Sequence, residues 1–314
     1  MAAGDIVLAG GAGFLGRALT EHLRQAGRSV VVLSRGAHRD AAGVRHVRWD
    51  GATAGEWAGE LDGAAAVVNL AGRSVNCRYN ARNRAAILDS RVHATRAIGA
   101  AVARCARPPA AWLNASSATI YREARDRPMD EATGEIGAGF SVEVCQAWEQ
   151  AFFAAAAPKT RKVALRLSIV FGAAPGGAFE VFQRLVRLGL GGTQGDGGQF
   201  VSWLHLADFC RAVEWLLAHE EIAGPVNVCA PDPLPNADFM RAWREACGVP
   251  IGLPAAAWML EIGALILRTE TELLLKSRRV IPRRLQESGF HFDFTPWPRA
   301  IADLVAITSG HRLA

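Results

Sequence analysis

Apolar residues along the chain fall into short continuous runs separated by stretches of helical period. "DIVLAG", Asp5 to Gly10, is a brief apolar run rich in β-branched residues, the pattern of a strand buried on both faces. In the following "GAGFLGRALTEHLRQAG", Phe14, Leu15, Ala18, Leu19 and Leu23 recur at helical spacing, and Gly27 supplies the stop. "SVVVL", "GVRHVRW", "AAAVVNL", "AAWLNAS" and "KVALRLSIV" repeat the strand signal, and helical stretches separate several of them. The longest of these helices is expected over Ala81 to Ala106, ending before Pro108 and Pro109. Such alternation predicts an α/β fold, a doubly wound parallel sheet with helices on both faces and a ligand crevice at the carboxyl ends of the strands.

After Gly177 the rhythm changes. A helix expected near Ala178 to Leu188 leads into the glycine-rich "GLGGTQGDGGQ". "FVSWLHLADFCRAVEWLLAH" then reads as a strand-and-helix unit returning to the sheet, and "GPVNVCA" as one more strand. From about Pro231 the pattern is mostly helical with proline breaks. The expected organisation is a nucleotide-binding domain over 1–171, with 201–229 returning to it, and a smaller, mostly helical substrate lobe over 172–200 and 230–314.

Between the first strand and first helix, Gly10, Gly13 and Gly16 form Gly-x-x-Gly-x-x-Gly. That turn needs glycine conformations, a pyrophosphate needs close backbone approach, and a helix N-terminus favours its charge, so the segment points to a dinucleotide. Phe14 and Leu15 open the helix beside it. A site built for NAD places a carboxylate at the end of the second strand to bind the ribose 2′-hydroxyl. Here the residues are Ser34 and Arg35, and a guanidinium can bind a 2′-phosphate, so NADP(H) is the expected cofactor; the alternative is a solvated loop arginine. Asp50, ending the third strand, is placed to accept a hydrogen bond from the adenine amine. "NLAG" (Asn69 to Gly72) ends the fourth strand, and its small residues let the backbone pass close to the cofactor, which places Leu70, Ala71 and Gly72 at the site.

"GGAGFLG", "VVNLAG", "SSATIY", "LRLSIVFG" and "QFVSWLHLADF", in that order, resemble the extended short-chain dehydrogenase/reductase family, which contains the sugar-nucleotide epimerases. "NLAGRSV", "DSRVHATRAI", "EVCQAWE", "RLGLGG" and "KSRRVIPRRLQESGF" are similar to one atypical subgroup, named as nucleoside-diphosphate-sugar epimerases and in part carrying a cell-division-inhibitor-like label. The resemblance covers essentially the whole chain. It implies a Rossmann-type domain, NADP(H) and a C-terminal substrate lobe, with Arg91 and Val170 lining the cofactor site. It also implies a small-molecule substrate, a nucleotide sugar or a carbonyl compound, and a homodimer paired through helices flanking the 81–106 element.

The family's working set is a Ser or Thr after the fifth strand, then Tyr-x-x-x-Lys on the next helix. Ser117 falls on the first position. Tyr121, with Arg125 four residues later in "NASSATIYREARD", offers a candidate acid or base, but it sits on the loop rather than on the helix. Around "GFSVEVCQAWEQ", Phe140 is followed four residues on by Val144 and Val142 by Gln146, so neither offset supplies the pair. Making a tyrosine basic near neutrality takes about 3 pKa units, or ~4 kcal/mol, which the missing lysine would help provide. Glu143 and Cys145 are weighed as substitutes against a solvated carboxylate and a packed thiol. His205, near Asp208, reads equally as a substrate contact or as a structural histidine. Two functions follow: an NADP(H)-dependent oxidoreductase or epimerase-like enzyme of atypical mechanism, in which Ser117 orients a carbonyl or hydroxyl, or a non-catalytic NADP(H)-binding regulatory or sensor protein. A division-associated interaction protein rests on the subgroup label alone.

Composition narrows these readings. The chain has 314 residues, half of them hydrophobic, which suits a soluble globular protein. Its net charge of +5 is dispersed and almost wholly arginine, so anionic small ligands fit it better than nucleic acid. Arg184 and Arg187, and Arg278, Arg279, Arg283 and Arg284 in "KSRRVIPRR", are candidates to meet such a substrate. The six cysteines are scattered without a Cys-x-x-Cys pair, so free thiols are expected and neither a disulfide framework nor a metal site is suggested. The apolar "LPAAAWMLEIGALILR" (253–268) is interrupted by Glu261 and reads as a packed helix, not a membrane span. With no leader-like start, the expected location is cytoplasmic.

Overall fold

The computed structural model describes residues 4–36, 40–256, 258–259 and 272–310. Seven strands form one sheet: β1 (Ile6–Ala9), β2 (Val30–Ser34), β3 (Val44–Arg48), β4 (Ala66–Asn69), β5 (Ala111–Ser117), β6 (Arg161–Leu167) and β10 (Gly224–Val228). Their spatial order is β10-β6-β5-β4-β1-β2-β3, and every pairing in it is parallel. All carboxyl ends therefore lie on one edge, and the order reverses at β1, between β4 and β2. That is where a doubly wound sheet opens its crevice.

The two-residue period of the strands divides the core into two halves. Ile6, Leu8, Val30, Val32, Val68 and Leu113 pack on one face with Leu19 and Leu23 of α1 (Phe14–Gln25) and with Phe209 and Val213 of α5 (Leu206–Ala218). Val7, Ala9, Val31, Leu33, Val67 and Trp112 pack on the other with Ala94, Ile98 and Ala101 of α2 (Ala81–Val102) and Phe152 of α3 (Phe140–Phe153). Each fully buried large apolar side chain contributes about 1.5–3 kcal/mol over exposure, so a one-residue slip in any central strand would exchange both half-cores at once.

The apolar run "KVALRLSIV" does not stay in one sheet. It breaks at Ser168 into β6 and β7 (Ile169–Phe171), and β7 pairs in parallel with β9 (Trp203–His205) as a separate two-stranded unit. The strand expected from "FVSWLH" to return to the large sheet therefore joins β7 instead, and β10 is the strand that returns. The run could not show this, because a strand leaving a sheet keeps its apolar composition. Beyond Phe171, α4 (Ala178–Arg187), α6 (Asn236–Ala246) and the helix Trp297–Thr308 enclose an aromatic core of Phe171, Phe179, Trp203, Phe239, Trp243 and Trp297. Phe239 and Trp297 stack at 4.3 Å, and the Trp297 indole donates to the Phe239 carbonyl at 3.1 Å.

The C-terminal arginine segment closes the molecule. Met129 donates its N–H to the carbonyl of Arg279 at 2.7 Å, and Ile281 donates to that of Met129 at 3.0 Å. Arg278 donates its backbone N–H to the Phe200 carbonyl at 2.8 Å, binding the same segment to the chain just before β9. The apolar segment 253–268 lies largely outside the described residues. Among those described, no helix is long and apolar enough to cross a membrane.

Candidate functional site

The turn after β1 is shaped by contacts that only glycine permits. Gly10 has φ +80°, and a Cβ there would stand 2.9 Å from the Ala71 nitrogen. Gly16 is buried in α1, where a Cβ would come within 2.5 Å of the Gly10 carbonyl oxygen and the Gly11 Cα. The helix thus presses directly on its own loop. Gly13 is the N-cap residue, no side chain caps the helix, and no acidic residue sits in its first turn. The leading N–H groups of α1, at Phe14, Leu15 and Gly16, lack intrahelical acceptors by geometry and favour an anion. Phe14 serves packing as well: a Cβ on Gly177 would meet its ring at 2.8 Å. Arg17 donates to the carbonyls of Ala12 and Pro175, each at 2.7 Å, and so ties the glycine turn to the loop after β7.

Ser34 ends β2 with its hydroxyl bonded to the Gly36 carbonyl at 3.1 Å, and Arg35 projects as an exposed side chain. Asp50 is exposed and its Oδ1 accepts from the N–H groups of Ala52 and Thr53, each at 2.8 Å, while Oδ2 accepts from the Thr53 hydroxyl. The Thr53 and backbone hydrogen bonds hold its carboxyl below the usual range. Asp50 therefore builds the turn it sits in, with part of its acceptor capacity already used.

At the end of β4, Asn69 is fully buried. Its amide donates to Asn114 at 2.7 Å and to Thr95 at 3.3 Å, and its oxygen accepts from the Ala71 N–H at 3.0 Å. This network holds Leu70, Ala71 and Gly72 at the mouth of the crevice. Arg91 of α2 lies against them: its guanidinium carbon would be 3.4 Å from a Cβ on Gly72, and it donates to the carbonyls of Arg73 and Ile87, both at 3.0 Å. It also lies 5.1 Å over the Trp148 ring. Burial pulls it below its usual value, and among the described residues it has no carboxylate partner. Val170 belongs to the core, 8% exposed beside Leu204 and Phe209.

Ser117 ends β5 with its hydroxyl partly exposed. It accepts from the Thr119 hydroxyl at 2.9 Å and from the Thr119 N–H at 3.2 Å, and makes a long 3.5 Å contact with the Leu167 carbonyl. Thr119 in turn meets the Cys145 thiol of α3 at 3.4 Å. Burial pushes that thiol up, which argues against a resting thiolate.

The structure separates the other members of "NASSATIYREARD". Tyr121 is 1% exposed, and its hydroxyl donates to Asn227 at 2.9 Å and accepts from Arg166 at 2.8 Å. Burial raises its pKa in spite of Arg166. Arg125 turns away to a bidentate pair with Asp196 of the glycine-rich loop, at 2.8 and 3.1 Å. The hydroxyl of Tyr121, weighed as an acid or base, is engaged within the protein, on the network Ser116–Glu149–Arg166–Tyr121–Asn227.

The substitutes resolve similarly. Glu143 is exposed on α3. His205 caps α5, its Nδ1 accepting from the Ala207 N–H at 3.2 Å, stacks on Phe294 at 3.7 Å and stands 3.3 Å from the Asp303 carboxylate through Nε2, and burial lowers its pKa to about 4. All six cysteines are free, and no cluster of metal-ligating side chains occurs among the described residues. Arg184 and Arg187 are exposed. Arg279 lies over Phe200, Arg283 pairs with Glu287, and Arg284 donates to Ala223 and Pro225, while Arg278 acts electrostatically on the Cys145 thiol.

Sequence reasoning missed Ser141. It precedes Cys145 by four residues, so the two share a face of α3, and its hydroxyl bonds Glu272 at 2.9 Å. Testing the remaining four-residue offset in that window would have found the pair. Tyr79 was also passed over; it packs edge-on to Phe140 at 5.1 Å and lies within electrostatic reach of Arg91.

Comparison with known proteins follows this geometry. Residues 6–229 match the NAD dependent epimerase/dehydratase family, and residues 255–304 match a domain of unknown function, DUF1731. The epimerase family protein Mb2239 of Mycobacterium bovis is 33% identical over 300 residues, covering 93% of this chain and 94% of that protein. The bovine (Bos taurus) epimerase family protein SDR39U1 is 31% identical over 307 residues, covering 96% and 99%. Among solved structures, human SDR39U1 (isoform 2) with NADPH superposes with a TM-score of 0.86 at 29% identity, covering 96% of this chain and 99% of that one. The nucleoside-diphosphate sugar epimerase of Corynebacterium glutamicum gives 0.79 at 27% identity, covering all of this chain and 60% of that one.

Proposed function

Because the chain belongs to the NAD dependent epimerase/dehydratase family, we propose that it is an NADP(H)-dependent oxidoreductase that positions a small-molecule carbonyl or alcohol with serine and threonine hydroxyls instead of a tyrosine base. The observation that carries this reading is the pair of hydroxyls on Ser117 and Thr119, bonded at 2.9 Å at the carboxyl edge of the sheet while Tyr121 is withdrawn into the core. The uncapped start of α1 with Gly10, Gly13 and Gly16 would hold the pyrophosphate. Ser34 and Arg35 would take the 2′-phosphate, and Asp50 the adenine edge. Leu70, Ala71, Gly72, Arg91 and the backbone of Val170 would line the remainder. The human relative solved with NADPH supports the choice of dinucleotide. When bound, the cofactor supplies or accepts the hydride. Ser117 would donate a hydrogen bond to the substrate oxygen, and Thr119 would fix the direction of that donor. Arg91, desolvated and with no carboxylate partner among the described residues, would favour the negative charge that develops on the oxygen.

Nicotinamide fluorescence of cofactor-stripped protein titrated with NADPH and NADH tests the cofactor half. Arg35→Ala should weaken NADPH by about 10–100-fold, the range of a charge-assisted contact, and leave NADH unchanged. Equal loss of both nucleotides would reject the 2′-phosphate assignment.

A second reading, a non-catalytic NADP(H)-binding regulator, is favoured by one observation: the hydroxyl of Tyr121 is consumed by Arg166 and Asn227. Turnover with a panel of carbonyl compounds and nucleotide sugars separates the two. In an active protein Ser117→Ala should lower kcat by about a hundredfold without altering NADPH affinity. Tyr121→Phe should instead retain kcat per folded molecule and lose about 1–3 kcal/mol of stability through unpaired buried partners. A Tyr121→Phe protein that folds normally and has no turnover would return the tyrosine to the chemistry.

A further inference from the structure

The C-terminal segment brings a carboxylate to α3. Glu272 Oε2 accepts from the Ser141 hydroxyl at 2.9 Å, and Oε1 accepts from Lys276 Nζ at 2.9 Å. Arg278 Nη2 stands 3.8 Å from the same Oε1, beyond hydrogen-bond distance. The Arg278 side chain is only 14% exposed, and its guanidinium makes no hydrogen bond among the described residues. Burial pulls it below its usual value, against the opposing pull of Glu272 and Glu123. Glu123 is itself engaged, accepting from the Ser277 N–H at 3.1 Å.

A largely buried planar fork of five donors that makes no side-chain hydrogen bond among the described residues, with Glu272 at 3.8 Å, is matched in shape and charge by a planar oxyanion. Arg91 and Arg278 both act electrostatically on the Cys145 thiol. Ser141 and Cys145 share a face of α3, and Cys145 contacts Thr119, which contacts Ser117. The place held by Glu272 is therefore linked through adjacent side chains to the two hydroxyls.

We propose that Ser141, Lys276 and Arg278 form a carboxylate-binding subsite that Glu272 fills in the free protein, and that a substrate carboxylate displaces Glu272 to reach the Ser117–Thr119 hydroxyls. The occupant already present shows the chemistry: a singly charged planar carboxylate takes one hydroxyl on one oxygen and an ammonium on the other. The incoming carboxylate differs in that it is not tethered, so it can move the remaining distance to Arg278. The substrate class is then a carboxylic acid that also bears the carbonyl or hydroxyl to be converted, and Glu272 acts as a built-in competitor. This rests on the cleft being the substrate site of the proposed oxidoreductase.

The test is calorimetric titration of malonate into the full-length protein, saturated with NADPH and, separately, without nucleotide. Glu272→Gln removes the competitor's charge and keeps its shape, so malonate should bind about tenfold more tightly than to the wild type. Adding Arg278→Gln to that variant should abolish the gain. Lys276→Gln, at a side chain 37% exposed and so tolerant of change, should reduce it severalfold. Unchanged malonate affinity in Glu272→Gln overturns the proposal, as does a double variant that binds as tightly as the single one. Pyrophosphate binding more tightly than malonate to Glu272→Gln would overturn the carboxylate class. NADPH failing to bind the wild type would count against the proposed function alone, because the nucleotide-free titration reads this subsite independently.

Discussion

Arg166→Met should lower the free energy of urea unfolding by about 3–5 kcal/mol, the cost of leaving one member of a buried ion pair uncompensated. Arg166 binds Glu149 bidentately at 2.9 and 2.8 Å, and both side chains are about nine-tenths buried. Removing the guanidinium strands the Glu149 carboxylate, which would keep only the Ser116 hydroxyl at 2.7 Å, and takes a donor from Tyr121. The effect should spread, because Tyr121 also holds Asn227, whose N–H bonds Glu131 and whose amide bonds the Ile281 carbonyl. One substitution thus loosens β5, β6, β10 and the C-terminal segment together. A domain stable by about 5–15 kcal/mol would lose a large share of its margin. The double variant Glu149→Leu with Arg166→Met should regain much of that loss, since no charge is then left without its partner. A single variant within ~1 kcal/mol of wild type would show that water reaches the pair and that the network is not the structural node described here.

Gly16→Val should weaken NADPH binding by at least about 2 kcal/mol, or roughly thirtyfold in Kd. The added Cβ would fall 2.5 Å from the Gly10 carbonyl oxygen and the Gly11 Cα, both backbone atoms that no rotamer change can move aside. Either α1 tilts away from the sheet or the glycine turn is displaced, and in each case the leading N–H groups of α1 no longer converge on a pyrophosphate. The fold should survive at a cost of about 1–3 kcal/mol, typical of overpacking. Gly59→Ala is the control, since a Cβ there meets nothing within 4 Å. Fluorescence titration alongside thermal melting separates the outcomes. NADPH bound normally by a folded Gly16→Val protein would place the cofactor away from this turn.

The positions of the candidate residues were legible because they depend on neighbours in sequence. The glycine spacing, the start of α1, Ser34–Arg35 at the end of β2 and the segment after Asn69 all sit within a few positions of a strand terminus, and strand termini are readable from apolar runs. Ser117 was placed at the end of β5 on the same ground. What the sequence left open has a common origin. Neighbouring residues could not show how Tyr121 is engaged, because its partners Arg166 and Asn227 lie 45 and 106 residues away. Arg125 is taken by Asp196, 71 residues away. The strand beginning at Ile169 looked continuous with the one before it, because leaving a sheet changes hydrogen-bond partners and not side-chain chemistry.

The sequence by itself determined the alternation of strand and helix, the side of the sheet that carries ligands and the residue types at each strand end. These follow from periods of 2 and 3.6 and from the backbone conformations that glycine alone tolerates. Only the tertiary structure decided which polar groups remain free for a ligand. A hydroxyl or guanidinium is available or consumed according to the acceptors that long-range packing places around it. Packing consumed Tyr121 and Arg125, left Ser117 at the mouth, and kept the buried guanidinium of Arg278 without a hydrogen bond among the described residues.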